Sequence, residues 1–252
     1  MILLQQRYDS PDPARQAELL AARAANAACR AFTETFDVDG AAKRWTFADL
    51  LALAADRFRG EACVIANSDI SFDGSIAHVR QLLRSNMLVA LTRWDDDTAP
   101  SMEGRVDPAT WRFYSQSQDA WIFLAGGLPP FLADFQLGVP RCENRFAYEA
   151  AAAGVVVVDP ALSVRTRHHH ATNVRTWKRA DSYPGPLFFP RLTTLDVPVA
   201  EGLVLDRRWG KLERTVTLSA DATDFAAQLR ARSEVAGRPR IGLRSPFYLR
   251  RR

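Results

Sequence analysis

Short apolar runs alternate with segments of helical periodicity along most of this chain. The strand-like runs include Ile2–Gln6, Ala62–Ala66 and Val155–Val158, and the last of these is the densest β-branched stretch in the sequence. Between them, Gln16–Cys29 is rich in alanine and leucine, and Phe47–Phe58 repeats apolar residues at helical spacing. This alternation predicts an α/β fold with an open, mostly parallel sheet flanked by helices. In such sheets, ligands bind beyond the carboxyl ends of the strands.

The other predicted elements extend this pattern and divide the chain into two parts. Further strands are predicted at Ala31–Phe36, Met87–Thr92 and Trp121–Leu124, and further helices at Ser75–Leu83 and Arg145–Ala153. The polar segment Asp95–Thr110 is long enough to be a functional loop. We predict a main domain over residues 1–180. A smaller C-terminal appendage over residues 181–252 would contain short strands and one helix near Ala220–Arg232.

The composition is that of a globular protein and excludes disordered, collagen-like and disulfide-stapled chains. Of the 252 residues, 47% are apolar and 25% charged, and the three cysteines are widely separated. The cysteines form no secreted disulfide pattern, so we expect a cytoplasmic protein. No apolar run approaches the roughly 20 residues of a membrane-spanning helix. The net charge of +4 comes from scattered basic residues. This scatter argues against specific nucleic-acid binding and favours a phosphate-bearing ligand.

A polar segment, Asn67–Asp73, follows directly after the apolar run Ala62–Ala66. Hard divalent cations take oxygen ligands, and one carboxylate at a strand end can hold such a cation against the oxygens of a diphosphate. Asp69 is the best candidate for this ligand. Asn67 and Asp69 are also typical of a polar turn in which side chains cap backbone groups, and the residues alone leave both interpretations open.

Three further segments carry carboxylates near predicted element ends. Asp119 precedes a predicted strand and suits hydrogen bonding to sugar hydroxyls, although a strand-entry turn explains it equally well. Glu143 begins a predicted helix, where it is either a capping residue stabilised by the helix dipole or a general base. The run Asp95–Asp97 cannot direct all its carboxylates to one point, and we interpret it as a solvated loop.

Three consecutive histidines follow the last predicted strand of the main domain. In extended backbone, alternate side chains share a face, so His168 and His170 point together while His169 points away. The cluster is a candidate metal site, and a pH-sensitive surface patch is the alternative. Arg165 and Arg167 lie beside it and suit bidentate contacts with a diphosphate, while a solvated basic face is the alternative.

Taken in order, the motifs resemble those of nucleotide-sugar glycosyltransferases of the GT-A fold, in a bacterial group similar to family 2. The resemblance rests on the segments Asn67–Asp73, Leu91–Asp95, Gln118–Phe123, Leu137–Glu149 and His168–His170. It extends from about residue 2 to residue 177, and the order of the motifs is more specific than any one of them. The resemblance implies a GT-A-type, Rossmann-like sheet and a sugar donor activated as a nucleoside diphosphate.

The resemblance also implies roles for individual residues. Asn67, Ser68 and Asp69 would stand at the donor diphosphate, with Asp69 binding Mn²⁺ or Mg²⁺. His168 or His170 would complete the metal site, and the sequence does not choose between them. Because Asn67 stands where the family pattern has an aspartate, a weaker metal site or a metal-independent variant stays open.

The remaining implied roles concern catalysis and the nucleotide. Glu143 would be the base that removes a proton from the hydroxyl acceptor, a glycan or another alcohol, in a reaction that inverts the anomeric centre. Asp119 is the second catalytic candidate. Gln6, Arg7 and Tyr8 would lie near the nucleotide; looser candidates there are Arg15 and Glu34.

Three other functions stay open at this level. A nucleotidyltransferase also uses a metal-bound carboxylate at a strand end, but the segment Arg7–Arg15 lacks the glycine-rich phosphate loop expected of it. A non-catalytic module would bind nucleotide or metal without turnover. A nucleic-acid-binding protein is favoured only by the basic tail Arg244–Arg252, which also leaves a peripheral membrane contact open.

Overall fold

The structure, a computed structural model, describes residues 1–95, 97–106, 113–172, 174–175, 177–206 and 212–217. Its α-helices are α1 (Pro13–Ala28), α2 (Phe47–Arg57) and α3 (Cys142–Ala152). Short 3-10 helices cover Gly74–Gln81 and Arg179–Asp181.

A six-stranded sheet forms the centre of the fold. In spatial order its strands are β2 (Glu34–Asp39), β1 (Ile2–Arg7), β3 (Ala62–Ala66), β8 (Gln118–Leu124), β5 (Met87–Thr92) and β9 (Val156–Val158). All neighbouring pairs are parallel except those of β8, which is antiparallel to both β3 and β5. The start of β8 therefore lies at the edge where the other strands end. The predicted α/β class and mostly parallel sheet are confirmed.

Three smaller sheets accompany the central one. The first pairs β4 (Ile70–Phe72) with β10 (Thr166–His168), and the second pairs β6 (Gly104–Val106) with β7 (Phe113–Ser115). The third is antiparallel and consists of β11 (Leu187–Pro190), β12 (Glu201–Asp206) and β13 (Leu212–Thr217). The pairing of β4 with β10 joins two segments that are almost a hundred positions apart in the sequence, and both carry site residues.

The inner strands of the central sheet are buried on both faces. Along β8, Trp121 packs in one hydrophobic cluster and Ile122 in the other, as expected for side chains that alternate across a strand. On the first face, Phe47 of α2 stacks on Phe146 of α3, with ring centroids 4.0 Å apart. Strands β3, β5 and β9 contain no charged residue. The edge strand β2 is largely exposed and carries Glu34, Asp37 and Asp39.

The helix starts follow local sequence signals to different degrees. Asp12 caps α1 by accepting a hydrogen bond from the backbone N–H of Arg15, and Thr46 and Asp49 form a reciprocal capping box at α2. Helix α3 has no side-chain cap: Arg141 precedes it with a φ of 70°. The side chain of Arg141 thus contributes no capping hydrogen bond, and the first N–H of α3, that of Cys142, donates to the carbonyl of Val139 at 3.0 Å. This end of the helix faces the cavity described below.

Several predicted elements differ from the structure in position or type. The strand predicted at Trp121–Leu124 begins at Gln118, and the predicted loop Asp95–Thr110 includes β6. The strand predicted at Ala31–Phe36 is observed at Glu34–Asp39 because β1 begins at Ile2, whose register partner is Glu34. The helix predicted at Ser75–Leu83 is a 3-10 helix. The predicted helix near residues 220–232 and the basic tail lie outside the described residues.

No helix among the described residues combines the length and the apolar character needed to span a bilayer.

Candidate active site

A cavity of about 610 Å³ opens where the parallel strands of the central sheet end. Its wall includes Gln6 near the end of β1, the Asn67–Asp69 turn after β3 and Arg93 after β5. Asp119, at the start of the antiparallel strand β8, and Glu143, in the first turn of α3, also line it. Side chains from five distant segments therefore face a common space at the edge where α/β sheets bind ligands.

Asp69, His168 and His170 meet in this cavity and form a candidate metal site. One oxygen of Asp69 and one ring nitrogen of each histidine all lie within 4.8 Å of one another. Oδ2 of Asp69 is 3.4 Å from Nε2 of His168 and 3.3 Å from Nδ1 of His170. Ligand atoms about 2.0–2.2 Å from one ion lie roughly 3.0–3.5 Å apart at octahedral or tetrahedral angles. The two distances from Asp69 therefore fit ligands of one cation.

The backbone pairing of β4 with β10 brings the aspartate to the histidines. His168 pairs with Ile70 in this small sheet, and the backbone N–H of His169 donates to the carbonyl of Asp69 at 2.8 Å. The rings of His168 and His170 stack with their centroids 5.0 Å apart, while the ring of His169 turns away to Oγ of Ser71 at 2.8 Å. The predicted alternation of the three histidines is confirmed.

The buried carboxylate of Asp69 is surrounded by groups that stabilise its negative charge. Burial opposes ionisation, but hydrogen bonds from His168 and His170 and the nearby charge of Arg15 outweigh it. Together they hold the pKa of Asp69 well below its ordinary value. Asp69 is therefore ionised at any pH near neutrality.

His168 has a second carboxylate partner in Asp95. Nδ1 of His168 is 3.3 Å from Oδ1 of Asp95, while Nε2 faces Asp69. Burial lowers the pKa of His168, but the hydrogen bonds to the two carboxylates raise it overall to about 9. A carboxylate that holds the outer nitrogen of a metal-binding histidine fixes both the tautomer and the ring orientation.

This arrangement adds a contact with the histidine site to the interpretation of Asp95–Asp97 as a solvated loop. Asp95 contacts both His168 and Arg93, and these two contacts hold its pKa below its ordinary value despite partial burial. Asp97 is exposed, as expected, and Asp96 lies outside the described residues. Asp95 is itself about half exposed, with 48% of its side chain accessible, so the interpretation holds for its exposure but missed its contacts with Arg93 and His168.

Arg93 connects the histidine site with the other carboxylates of the cavity. Its guanidinium group contacts Asp95 at 2.8 Å, Asp119 at 3.1 Å and Glu103 at 3.3 Å. The other oxygen of Asp119 accepts a hydrogen bond from Nδ2 of Asn67 at 2.5 Å. Asp119 is thus held between β3 and β5, with a fixed orientation at the cavity wall.

Glu143 lines the cavity in the first turn of α3. Burial raises its pKa to about 7, and the nearby charge of Asp119 contributes in the same direction. Its own backbone N–H and the thiol of Cys142 oppose this shift without cancelling it. A carboxylate with a pKa near neutrality in a ligand-sized cavity has the properties of a general base.

The predicted nucleotide residues divide into two groups. Gln6, Tyr8, Asn67 and Ser68 line the cavity, and the hydroxyl of Ser68 donates to the carbonyl of Gln6. Arg7 is exposed and does not line it. Of the two less specific candidates, Arg15 is buried in the cavity wall. Glu34 is exposed at the start of β2 and does not line the cavity.

The structure does not bring Arg165 and Arg167 to the cavity wall. Arg165 lies over the ring of Trp94, with 5.0 Å between the guanidinium carbon and the ring centroid, and Arg167 is exposed near Asp97. In β10, alternate side chains point to opposite sides, so a strand that aims His168 at the cavity aims its neighbours elsewhere. Arg175 lines the cavity farther along the chain, 4.9 Å above the ring of Trp177.

Sequence reasoning gave no site role to Arg93 and placed Arg15 near the nucleotide without a partner. The signal for Arg93 was present: it is a charged residue directly after the fully buried strand β5. The partner of Arg15 could not be found locally, because Asp69 is 54 positions away.

No protein-family model, curated protein or solved structure matches this chain. The chemistry of the cavity follows from its own side chains. They combine a cation-binding group, a carboxylate that titrates near pH 7, and amide and hydroxyl groups suited to polar ligands. Such a set can bind an anionic ligand through a cation and accept a proton beside it.

Proposed function

We propose that this protein is a glycosyltransferase that moves a sugar from a nucleoside diphosphate sugar to a hydroxyl acceptor. The observation that carries the proposal is that Asp69, His168 and His170 line the same cavity as Glu143. A cation site and a proton acceptor in one cavity are the two groups that such a transfer needs. The order of motifs along the chain supports the same function.

The three side chains Asp69, His168 and His170 would hold a divalent cation. One carboxylate oxygen and two imidazole nitrogens suit Mn²⁺ better than Mg²⁺, because Mg²⁺ prefers oxygen ligands throughout. When bound, the cation supplies positive charge that stabilises the departing diphosphate. Three protein ligands also leave coordination positions for diphosphate oxygens.

Glu143 would act as the general base. Its carboxylate takes the proton of the acceptor hydroxyl while the acceptor oxygen forms a bond to the anomeric carbon. The bond from that carbon to the diphosphate oxygen breaks at the same time, and the electron pair leaves with the diphosphate. A single base suits an inverting reaction. Asp119, fixed by Arg93 and Asn67, would orient the sugar through its hydroxyls.

The nucleoside would lie toward the ends of β1 and β2. Gln6 and Tyr8 line this part of the wall, and the side-chain oxygen of Gln6 accepts a hydrogen bond from the backbone N–H of Trp45. Gly40 also lines the cavity here, where a Cβ atom would lie only 2.4 Å from Cγ of Gln6. The close approach of these two strand ends therefore requires glycine at this position.

Binding and turnover test the proposal separately. Calorimetry with UDP and GDP, with and without Mn²⁺, should give metal-dependent binding of one nucleotide, and Asp69→Asn should abolish that dependence. A panel of sugar donors with that nucleotide should then give transfer or donor hydrolysis, which Glu143→Gln should reduce without loss of nucleotide binding. Asp73→Asn and Glu149→Gln are matched controls, since neither residue lines the cavity.

The possible results separate the alternatives. Nucleotide binding without turnover of any donor would favour a non-catalytic binding module. Absence of nucleotide binding under every condition would overturn the proposed function. Transfer that is unaffected by Glu143→Gln would retain the function but reject Glu143 as its base.

A further inference from the structure

Arg15 shares a carboxylate oxygen with the candidate metal site. Nη2 of Arg15 donates to Oδ2 of Asp69 at 2.6 Å, and both side chains are about nine-tenths buried, with exposed fractions of 7% and 11%. This oxygen is also the one that lies 3.4 Å from His168 and 3.3 Å from His170. A cation bound between the two histidines and this oxygen would therefore lie close to a buried guanidinium group.

The guanidinium group is fixed in this position by several neighbours. Nη1 of Arg15 donates to Glu18 at 2.8 Å and to the carbonyl of His169 at 3.1 Å, and Nη2 also lies 3.4 Å from the hydroxyl of Tyr8. Glu18 in turn accepts hydrogen bonds from the backbone N–H and the hydroxyl of Thr172. Arg15 cannot leave Asp69 without breaking contacts that join α1 to the histidine segment.

We propose that Arg15 shares the Asp69 oxygen with the metal ion, and that its positive charge makes metal binding depend on the diphosphate of the donor. The inference rests on the proposed function. Two cations on one carboxylate oxygen repel each other, and in a partly buried site this repulsion is poorly screened. The diphosphate adds negative charge next to both cations and offsets the repulsion. Metal and nucleotide therefore raise each other's affinity by the same factor.

A purely structural role for Arg15 makes the opposite prediction. If the guanidinium group only holds α1 against the histidine segment, its removal loosens the ligands and weakens metal binding. If its charge opposes the metal, its removal strengthens metal binding by the nucleotide-free protein. The sign of the change in metal affinity therefore distinguishes the two roles.

The first measurement uses the wild-type protein and needs no variant. Mn²⁺ affinity is measured by calorimetry or electron paramagnetic resonance under three conditions. The protein is alone, with the saturating nucleoside diphosphate that it binds, UDP or GDP, or with the corresponding nucleoside, uridine or guanosine. We expect the nucleoside diphosphate to raise Mn²⁺ affinity by about tenfold or more, and uridine or guanosine to leave it unchanged. Equal effects of nucleoside and nucleoside diphosphate, or no effect of either, would overturn the inference.

The second measurement compares variants of Arg15. We expect Arg15→Gln to raise the Mn²⁺ affinity of the nucleotide-free protein by about tenfold and to reduce the effect of the diphosphate. Arg15→Lys, which keeps the charge, should behave like the wild type. Arg57→Gln, at the exposed end of α2, is the control for the loss of one positive charge. Thermal unfolding verifies that each variant is folded.

The outcomes separate this inference from the proposed function. Unchanged or weaker Mn²⁺ binding by folded Arg15→Gln would overturn the inference while leaving the metal site and the transferase proposal intact. Absence of Mn²⁺ binding by every form of the protein would remove the metal site and the inference with it. Sugar transfer, measured separately, would then show whether a metal-independent transferase remains.

Discussion

The carboxyl group of Glu143 makes the proposed chemistry sensitive to pH. The general base must be ionised, and burial raises its pKa to about 7, so the transfer rate should fall about tenfold for each pH unit below 7 and level off above it. A pH profile of kcat/KM for the preferred donor measures this. Glu143→Gln should lower kcat by about 10²- to 10⁴-fold. Glu149→Gln on the same helix should leave the profile unchanged, and a profile that stays flat from pH 5 to 8 would contradict the assignment.

Asp95 is expected to act on the metal through His168. Asp95→Asn keeps the shape of the side chain but weakens its hold on Nδ1, so Mn²⁺ affinity should fall by about 10- to 100-fold. Asp97→Asn is the matched control, since Asp97 is an exposed carboxylate two positions away. Calorimetric titration of Mn²⁺ in the presence of nucleotide compares them. Equal effects of the two substitutions would mean that general charge, and not orientation of His168, sets the affinity.

At the level of elements, the close approach of β2 to β1 supports the nucleotide end of the cavity. In Gly40→Ala, the new methyl group would lie 2.4 Å from Cγ of Gln6 and 2.8 Å from the carbonyl oxygen of Arg7. We expect a loss of about 1–3 kcal/mol in the free energy of unfolding and weaker nucleotide binding, because Gln6 must move.

Gly74→Ala is the control, since a Cβ there meets nothing within 4 Å. Urea unfolding and calorimetry on both variants measure the two effects. Equal behaviour of the two alanine variants would show that Gly40 is not constrained by this contact.

The elements also show where sequence reasoning succeeds and where it stops. Helix α2 and strand β3 were predictable because caps, periodicity and apolar runs are local signals. The direction of β8 was not predictable, because its antiparallel pairing with β3 and β5 depends on residues far away in the chain. The histidine alternation followed from extended backbone alone. The contact of His168 and His170 with Asp69 depends on the pairing of β4 with β10, which no local pattern encodes.

Across the whole molecule, the buried titratable groups predict a particular dependence of stability on pH. Burial raises the pKa of Glu143 and Asp159 to about 7 each, so the folded state loses stability as pH rises from about 4 to 7. The raised pKa of His168, about 9, adds a further loss between pH 6.5 and 9. Glu18 acts in the opposite direction. Burial raises its pKa, but hydrogen bonds from Arg15 and Thr172 outweigh burial and lower the pKa to about 2. The stability that the ionised Glu18 provides is lost below about pH 4. Stability should therefore be greatest near pH 5.

Urea unfolding at pH 5, 7 and 9 tests this dependence, and a double variant tests its cause. We expect the free energy of unfolding to fall by more than about 2 kcal/mol from pH 5 to 9.

Asp159 accepts hydrogen bonds from the backbone N–H and the hydroxyl of Thr92. Since that hydroxyl can also accept a hydrogen bond, an asparagine amide fits there without a charge. Glu143→Gln/Asp159→Asn should therefore flatten the slope between pH 5 and 7 and be more stable than the wild type at pH 8. If the stability of the wild type rises from pH 5 to 8, ionisation of Glu143 and Asp159 does not destabilise the folded protein, and the explanation is wrong.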